Sequence, residues 1–90
     1  MKISVISGGA GGLGKAAAKE LGKYTAVILA DYHHEHLLAA KKELDDLGIE
    51  SHALDVDIRD MEAVEKLVSF SASLGEVVNV IHAAGVSPTD

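Results

Sequence analysis

The amino-acid sequence predicts an α/β protein built as an open, doubly wound parallel sheet. Three observations predict it. Apolar runs of strand length alternate with amphipathic stretches of helix length, a glycine cluster separates the first run from the first stretch, and single glycines stop the others. Parallel strands joined by helical crossovers place helices on both faces of a sheet. The order is βαβαβαβ, four strands and three helices, an incomplete sheet in one domain over residues 1–90.

Lys2 to Ser7 reads as the first strand, with Ile3, Val5 and Ile6 supplying β-branched bulk and the glycines from Gly8 closing it. Leu13, Ala16, Ala17 and Leu21 then fall at helical spacing, and Gly22 stands where a left-handed C-cap is expected. Tyr24 to Ala30 is a continuous apolar run ended by Asp31, the pattern of a strand covered on both faces. From His34 to Leu47 a second helix would bury Leu37, Ala40, Leu44 and Leu47 and stop at Gly48. Glu50 to Leu54 is a weaker strand. Asp60 caps a third helix whose core face is Val64, Leu67, Val68 and Leu74, and which Gly75 ends; Val77 to Ile81 is the fourth strand.

A chain of 90 residues buries only about 60 to 65% of the surface its unfolded form exposes, so its stability margin is narrow. Composition is globular, with 48% hydrophobic and 24% charged residues and a single proline. A net charge of −6 with eight Lys and Arg argues against a nucleic-acid partner, which demands clustered cations. The absence of cysteine removes disulfides and thiolate metal sites and fits a reducing, cytoplasmic setting. No run reaches the roughly 20 apolar residues of a membrane span. Five glycines within residues 7–14, with Lys15 after them, exclude a signal peptide's apolar core.

Ser7-Gly8-Gly9-Ala10-Gly11-Gly12-Leu13-Gly14 lies between a strand and a helix start, the context that gives a glycine pattern a mechanism. A pyrophosphate can rest on a helix N-terminus, where unbonded backbone N–H groups and the helix dipole offset its charge, provided no side chain blocks the approach. Glycine at Gly8, Gly12 and Gly14 keeps the turn tight, lets backbone reach phosphate and lets the helix pack on the strand. Asp31, at the end of the second strand, stands where an acid accepts hydrogen bonds from the adenosine ribose hydroxyls and repels a 2′-phosphate. No Arg or Lys occupies Gly11 or Tyr32, so NAD(H) is expected over NADP(H).

The SGGAGGLG segment of residues 7–14 resembles the TGxxxGxG cofactor loop of the short-chain dehydrogenases/reductases, with Ser7 in the threonine place. Leu54-Asp55-Val56-Asp57 is similar to that family's adenine-contacting Asp-Val pair, and His82-Ala83-Ala84-Gly85 to its Asn-Asn-Ala-Gly element. The resemblance covers all ninety residues and implies a Rossmann-type fold that binds NAD through Gly8, Gly12, Leu13, Gly14, Asp31, Tyr32, Asp55, Val56, Ala84 and Gly85. Asp55 would meet the adenine amino group and the Val56 backbone the ring. Only Ala84 and Gly85 match the last element, so its asparagine role does not transfer to His82 or Ala83. The family's chemistry uses a Tyr-x-x-x-Lys pair with a preceding Ser. Here Tyr24 is followed four residues on by Ile28 and Tyr32 by His36, so no catalytic residue is assigned.

The resemblance therefore implies the cofactor-binding part of an oxidoreductase that moves hydride to or from an alcohol or ketone carbon, binding NAD(H) without turnover by itself. A different class is a non-enzymatic dinucleotide-binding module that self-associates through Val77 to Ile81, an apolar edge that a second copy or a further C-terminal segment would complete. A well-folded monomer at every concentration in the ultracentrifuge would sink it. A flavin or mononucleotide binder is the third class, disfavoured by the paired Gly12 and Gly14 with Asp31. His33, His34 and His36 with Glu35 resemble a metal cluster, yet zinc needs three or four convergent ligands and these residues run from a loop into an exposed helix start. Ser87, Thr89, Asp90 and His82 hold nucleophile and base residue types without a fixed base or oxyanion site, and Lys15 reads as solvated.

Overall fold

In a computed structural model, residues 1–8, 11–57 and 59–83 are described. The elements follow one another as β1 (Lys2–Ser7), α1 (Gly12–Leu21), β2 (Ala26–Asp31), α2 (His34–Asp46), β3 (Ser51–Asp55), α3 (Met61–Leu74) and β4 (Glu76–His82). The four strands form one sheet in the order β3-β2-β1-β4, and every pairing is parallel. From β1 the chain winds outward through β2 to β3, then crosses to the other side of β1 to lay down β4. The doubly wound α/β class expected from the sequence is the fold observed.

Each face of the sheet carries its own core. Ile3 and Val5 of β1, Ala26, Ile28 and Ala30 of β2, and Leu67 of α3 pack on one side. Ile6, Val27 and Leu29 pack on the other, against Ala18 of α1 and Leu37, Ala40 and Leu44 of α2. The alternation along β1 and β2 is the period-2 arrangement of a strand between two layers, and all six residues of β2 are buried. Buried polar groups are matched. Ser4 Oγ lies 2.7 Å from Thr25 Oγ1 and accepts from Asn79 Nδ2 at 3.1 Å, and Ser71 Oγ donates to Leu67 O at 2.8 Å.

The helix faces differ from expectation in instructive ways. In α1 the buried positions are Gly14 and Ala18, whereas Leu13 is 56% exposed. Small residues let this helix lie close to the sheet, so the longest apolar side chain of its first turn is not the one that packs. Val68 is exposed and the hydroxyl of Ser71 takes a buried place in α3, made tolerable by its bond to the helix's own carbonyl. Leu47 is likewise exposed, because α2 ends at Asp46.

Gly22 is right-handed at φ −63°, not a left-handed cap. A Cβ there would stand 2.6 Å from Ile49 Cγ2, so close approach explains it. Gly48, at φ +78°, is the true left-handed stop. At the sheet's edge β4 alternates exposed and half-buried residues, with Val80 65% exposed.

Candidate functional site

All the expected cofactor-binding residues among the described ones lie along the C-terminal edge of the sheet. Three backbone hydrogen bonds prolong the ladder there: Gly8 N–H to Ala30 O at 2.7 Å, Val56 N–H to Asp31 O at 2.9 Å and Ala83 N–H to Ser7 O at 2.9 Å. These bonds hold the ends of all four strands in register, which fixes where each strand delivers its last side chain. The winding direction reverses between β1 and β4, and in open parallel sheets the crevice beside such a reversal is where ligands bind.

β1 leads into the glycine segment through Gly8, whose φ of +76° lies in the left-handed region that favours glycine. α1 begins immediately beyond, with Gly11 as its N-cap. No side chain caps it, and its first turn holds no acid. A Cβ placed on Gly12 would meet nothing within 4 Å. The helix end is therefore open in front, with the positive end of its dipole facing the crevice. Gly14 is buried while Leu13 is exposed.

Two carboxylates stand side by side on the neighbouring strands, since Asp31 and Asp55 are register partners as the last residues of β2 and β3. Asp31 is buried to 8% exposure, and its Oδ1 accepts from the His33 backbone N–H at 3.1 Å. Asp55 is exposed, and His34 Nδ1 lies 2.9 and 2.8 Å from its two oxygens. Val56 is buried immediately after it. Ala84 and Gly85 lie outside the described residues, as do Ser87, Thr89 and Asp90.

Several contacts at this rim join residues that sequence spacing does not connect. The Arg59 guanidinium lies 5.9 Å from the centre of the exposed Tyr32 ring, so a cation does reach the second strand's end, delivered by the loop after β3. Asp57 grips that guanidinium through both oxygens, at 3.0 and 3.1 Å, and this pairing holds the Asp57 carboxyl below its ordinary 3.8. Tyr32, His33 and His36 form a run of rings with centroids 4.1 and 5.4 Å apart. Among the described residues no three His, Asp or Glu side chains converge to hold a metal ion.

Lys15 points its ammonium at Glu43 of α2, 2.6 Å away, which lowers the Glu43 carboxyl below 4.5. Ser7 and His82, two of the residues that depart from the resembled motifs, meet each other: Ser7 Oγ is 2.5 Å from His82 Nδ1 across the β1–β4 pair.

Residues 2–90 match the family model described as short chain dehydrogenase. The chain belongs to the short-chain dehydrogenases. Among curated members it is 32% identical over 87 residues to a diacetyl reductase [(S)-acetoin forming] of Staphylococcus epidermidis, covering 94% of this chain and 34% of that protein. It is 34% identical over 89 residues to a C alpha-dehydrogenase of a Sphingobium species, covering 96% of this chain and 29% of that protein.

Solved structures of the family superpose closely. A xylitol dehydrogenase bound to NAD+ gives a TM-score of 0.78 at 27% identity, over 88% of this chain and 31% of the other. A variant of actinorhodin polyketide ketoreductase with NADPH gives 0.85 at 26%, over 90% and 32%. This short-chain dehydrogenase sequence thus spans about a third of the length of the relatives it matches. One of these two structures carries NAD+ and the other NADPH, so the family includes binders of either nicotinamide dinucleotide. Among the described residues no helix is long and apolar enough to cross a membrane.

Proposed function

We propose that the C-terminal edge of this sheet binds NAD(H), and that residues 1–90 are the dinucleotide-binding part of a short-chain dehydrogenase acting on an alcohol or ketone. The observation that carries the cofactor choice is Asp31, a carboxylate held at the end of β2 by the His33 N–H, on the strand next to the glycine segment. Fixed negative charge there accepts from ribose hydroxyls and opposes a 2′-phosphate. Arg59 is the competing consideration. Its charge is matched by the two-pronged grip of Asp57, which favours the non-phosphorylated dinucleotide.

The glycine segment fits the pyrophosphate of that cofactor: the α1 N-terminus has no side-chain cap, and the space a Gly12 side chain would take is empty. Gly8, Gly12, Leu13 and Gly14 would hold the phosphates and Asp31 the adenosine ribose. Tyr32, Asp55 and Val56 would hold the base. When bound, the nicotinamide supplies or accepts the hydride. The chain's own residues bind and orient it, because neither Tyr24 nor Tyr32 has a lysine four residues on. Turnover would belong to residues beyond these, and the place of β4 at the sheet's edge among the described residues supports completion of the sheet by a further strand.

The deciding experiment is a fluorescence titration of the protein with NADH and with NADPH, repeated with Asp31→Ala. Tighter binding of NADH, by about tenfold or more for one set of charge-assisted hydrogen bonds, with that preference lost in the variant, supports the reading. Equal affinities in the unmodified protein, or a preference unchanged in the variant, would refute it.

A further inference from the structure

Asp31 and Asp55 are met by the N-cap and the first residue of α2 respectively. The His33 N–H donates to Asp31 and His34 donates to Asp55, so one helix start ties down two neighbouring strand ends. Facing a carboxylate, which only accepts, the His34 ring presents Nδ1 as an N–H. Its near-equal distances of 2.9 and 2.8 Å put that nitrogen between the two oxygens. The inner lone pairs are thereby used and the outer ones left open, because a carboxylate has roughly four acceptor sites.

Both side chains are more than half exposed, at 61% for His34 and 55% for Asp55. A contact so wet adds little to folding. What it does change is the freedom of Asp55. An exposed carboxylate at a strand end otherwise samples several rotamers, and ordering it on ligand binding costs affinity.

We propose that His34 is a positioning residue that pre-orients the Asp55 carboxylate for an exocyclic amino group of the bound base, and so sets the preference for adenine over a 6-keto purine. This rests on the reading of the rim as a dinucleotide site and adds the residue that gives Asp55 its direction. His34 need not touch the cofactor. Removing it leaves the charge of Asp55 in place and loosens where that charge points.

The test compares NADH with reduced nicotinamide hypoxanthine dinucleotide, in which a carbonyl replaces the 6-amino group, on the same protein preparation. The ratio of the two affinities is unaffected by the fraction of folded protein. The unmodified protein should favour the adenine form about tenfold, and His34→Ala should cut this to about threefold or less, the scale of one charge-assisted hydrogen bond weakened by misorientation. His34→Asn, whose side-chain N–H can stand where Nδ1 stands, should restore most of the ratio. Asp55→Ala should abolish it and make the His34 substitution silent. A His34→Ala variant that weakens both dinucleotides equally and keeps the full ratio overturns the inference. A ratio near one in the unmodified protein overturns it while leaving the nicotinamide reading intact; no saturable binding of either dinucleotide overturns both.

Discussion

Two helices, α1 and α3, start at the same edge of the same sheet, each just after a parallel strand, and their first turns are built to opposite ends. α3 satisfies itself. Asp60 accepts the Glu62 N–H at 3.0 Å and Glu62 adds an acid to the first turn, so the dipole and the unbonded amides are answered by the chain's own carboxylates. α1 begins on Gly11 and Gly12 with no side-chain cap and no acid. A helix start without a side-chain cap or acid leaves its N–H groups and dipole open to an anion, which on the proposed function is the pyrophosphate of the dinucleotide. α2 also lacks a side-chain cap but carries Glu35 in its first turn, so the informative terminus is that of α1, which has neither cap nor acid.

The strongest way to break the contrast is to give α1 what α3 has. Gly12→Glu places a carboxylate in the first turn, at a position where an added Cβ meets nothing. The fold should tolerate it or gain, since an acid near a helix N-terminus contributes about 0.3 to 1 kcal/mol. Dinucleotide affinity should fall by about a hundredfold or more, because two like charges about 4 Å apart repel by about 4 kcal/mol near a protein surface. Titration calorimetry and a thermal melt on one sample read both signs. Loss of stability together with affinity would mean that the turn was needed for folding and not kept clear for a ligand.

The converse change is smaller. Asp60→Ala removes the cap of α3 and should cost about 1 kcal/mol of stability, a fall in Tm of about 4 to 8 °C for a domain of this size. Affinity for NADH should not change, because α3 packs on the opposite face from α1 and α2. Chemical denaturation and NADH titration of the variant check the pair. An affinity that fell in step with stability would show the two termini to be coupled, and the contrast would lose its meaning.

The strands, their order of appearance and the glycine segment could be read from the sequence, because continuous apolar runs, a glycine cluster and a trailing acid each follow from a local rule. The helix faces could not be read as well. Leu13 and Val68 look like core and are exposed, while Ala18 and Ser71 look neutral and are buried. Periodicity counts hydrophobic size, whereas a helix laid close on a sheet selects small residues, and a serine can answer its own hydroxyl within the helix. Gly22 was a correct glycine with the wrong reason, since contact with Ile49 decides it and not handedness. At the rim Asp31 was legible as a strand-ending acid and Asp55 only through the family resemblance. The His34–Asp55 and Ser7–His82 pairs were not, because 21 and 75 residues separate their members and only the fold brings them together.

The smallest effect concerns how carboxylates near the two helix starts respond to acid. Glu43, held by Lys15 of α1, lies below its ordinary 4.5, and Asp57, held by Arg59 just before α3, below its ordinary 3.8. A carboxyl whose folded value is depressed contributes stability that is fully present above its unfolded value and is lost as pH falls through the folded one. The Tm should therefore be flat from pH 7 to about 5 and decline below about pH 4.5, and it should decline less steeply in 1 M salt, where exposed pairs are screened within about 3 Å. Lys15→Gln and Arg59→Gln should each flatten part of that decline, separating the α1 side from the α3 side. Melts from pH 3 to 7 measure it. If Arg59→Gln left the slope untouched, the side-chain pairing named as the chief cause of the Asp57 shift would be wrong, and the backbone N–H of residue 59, 3.0 Å from Asp57 Oδ1, would have to hold that carboxylate unaided.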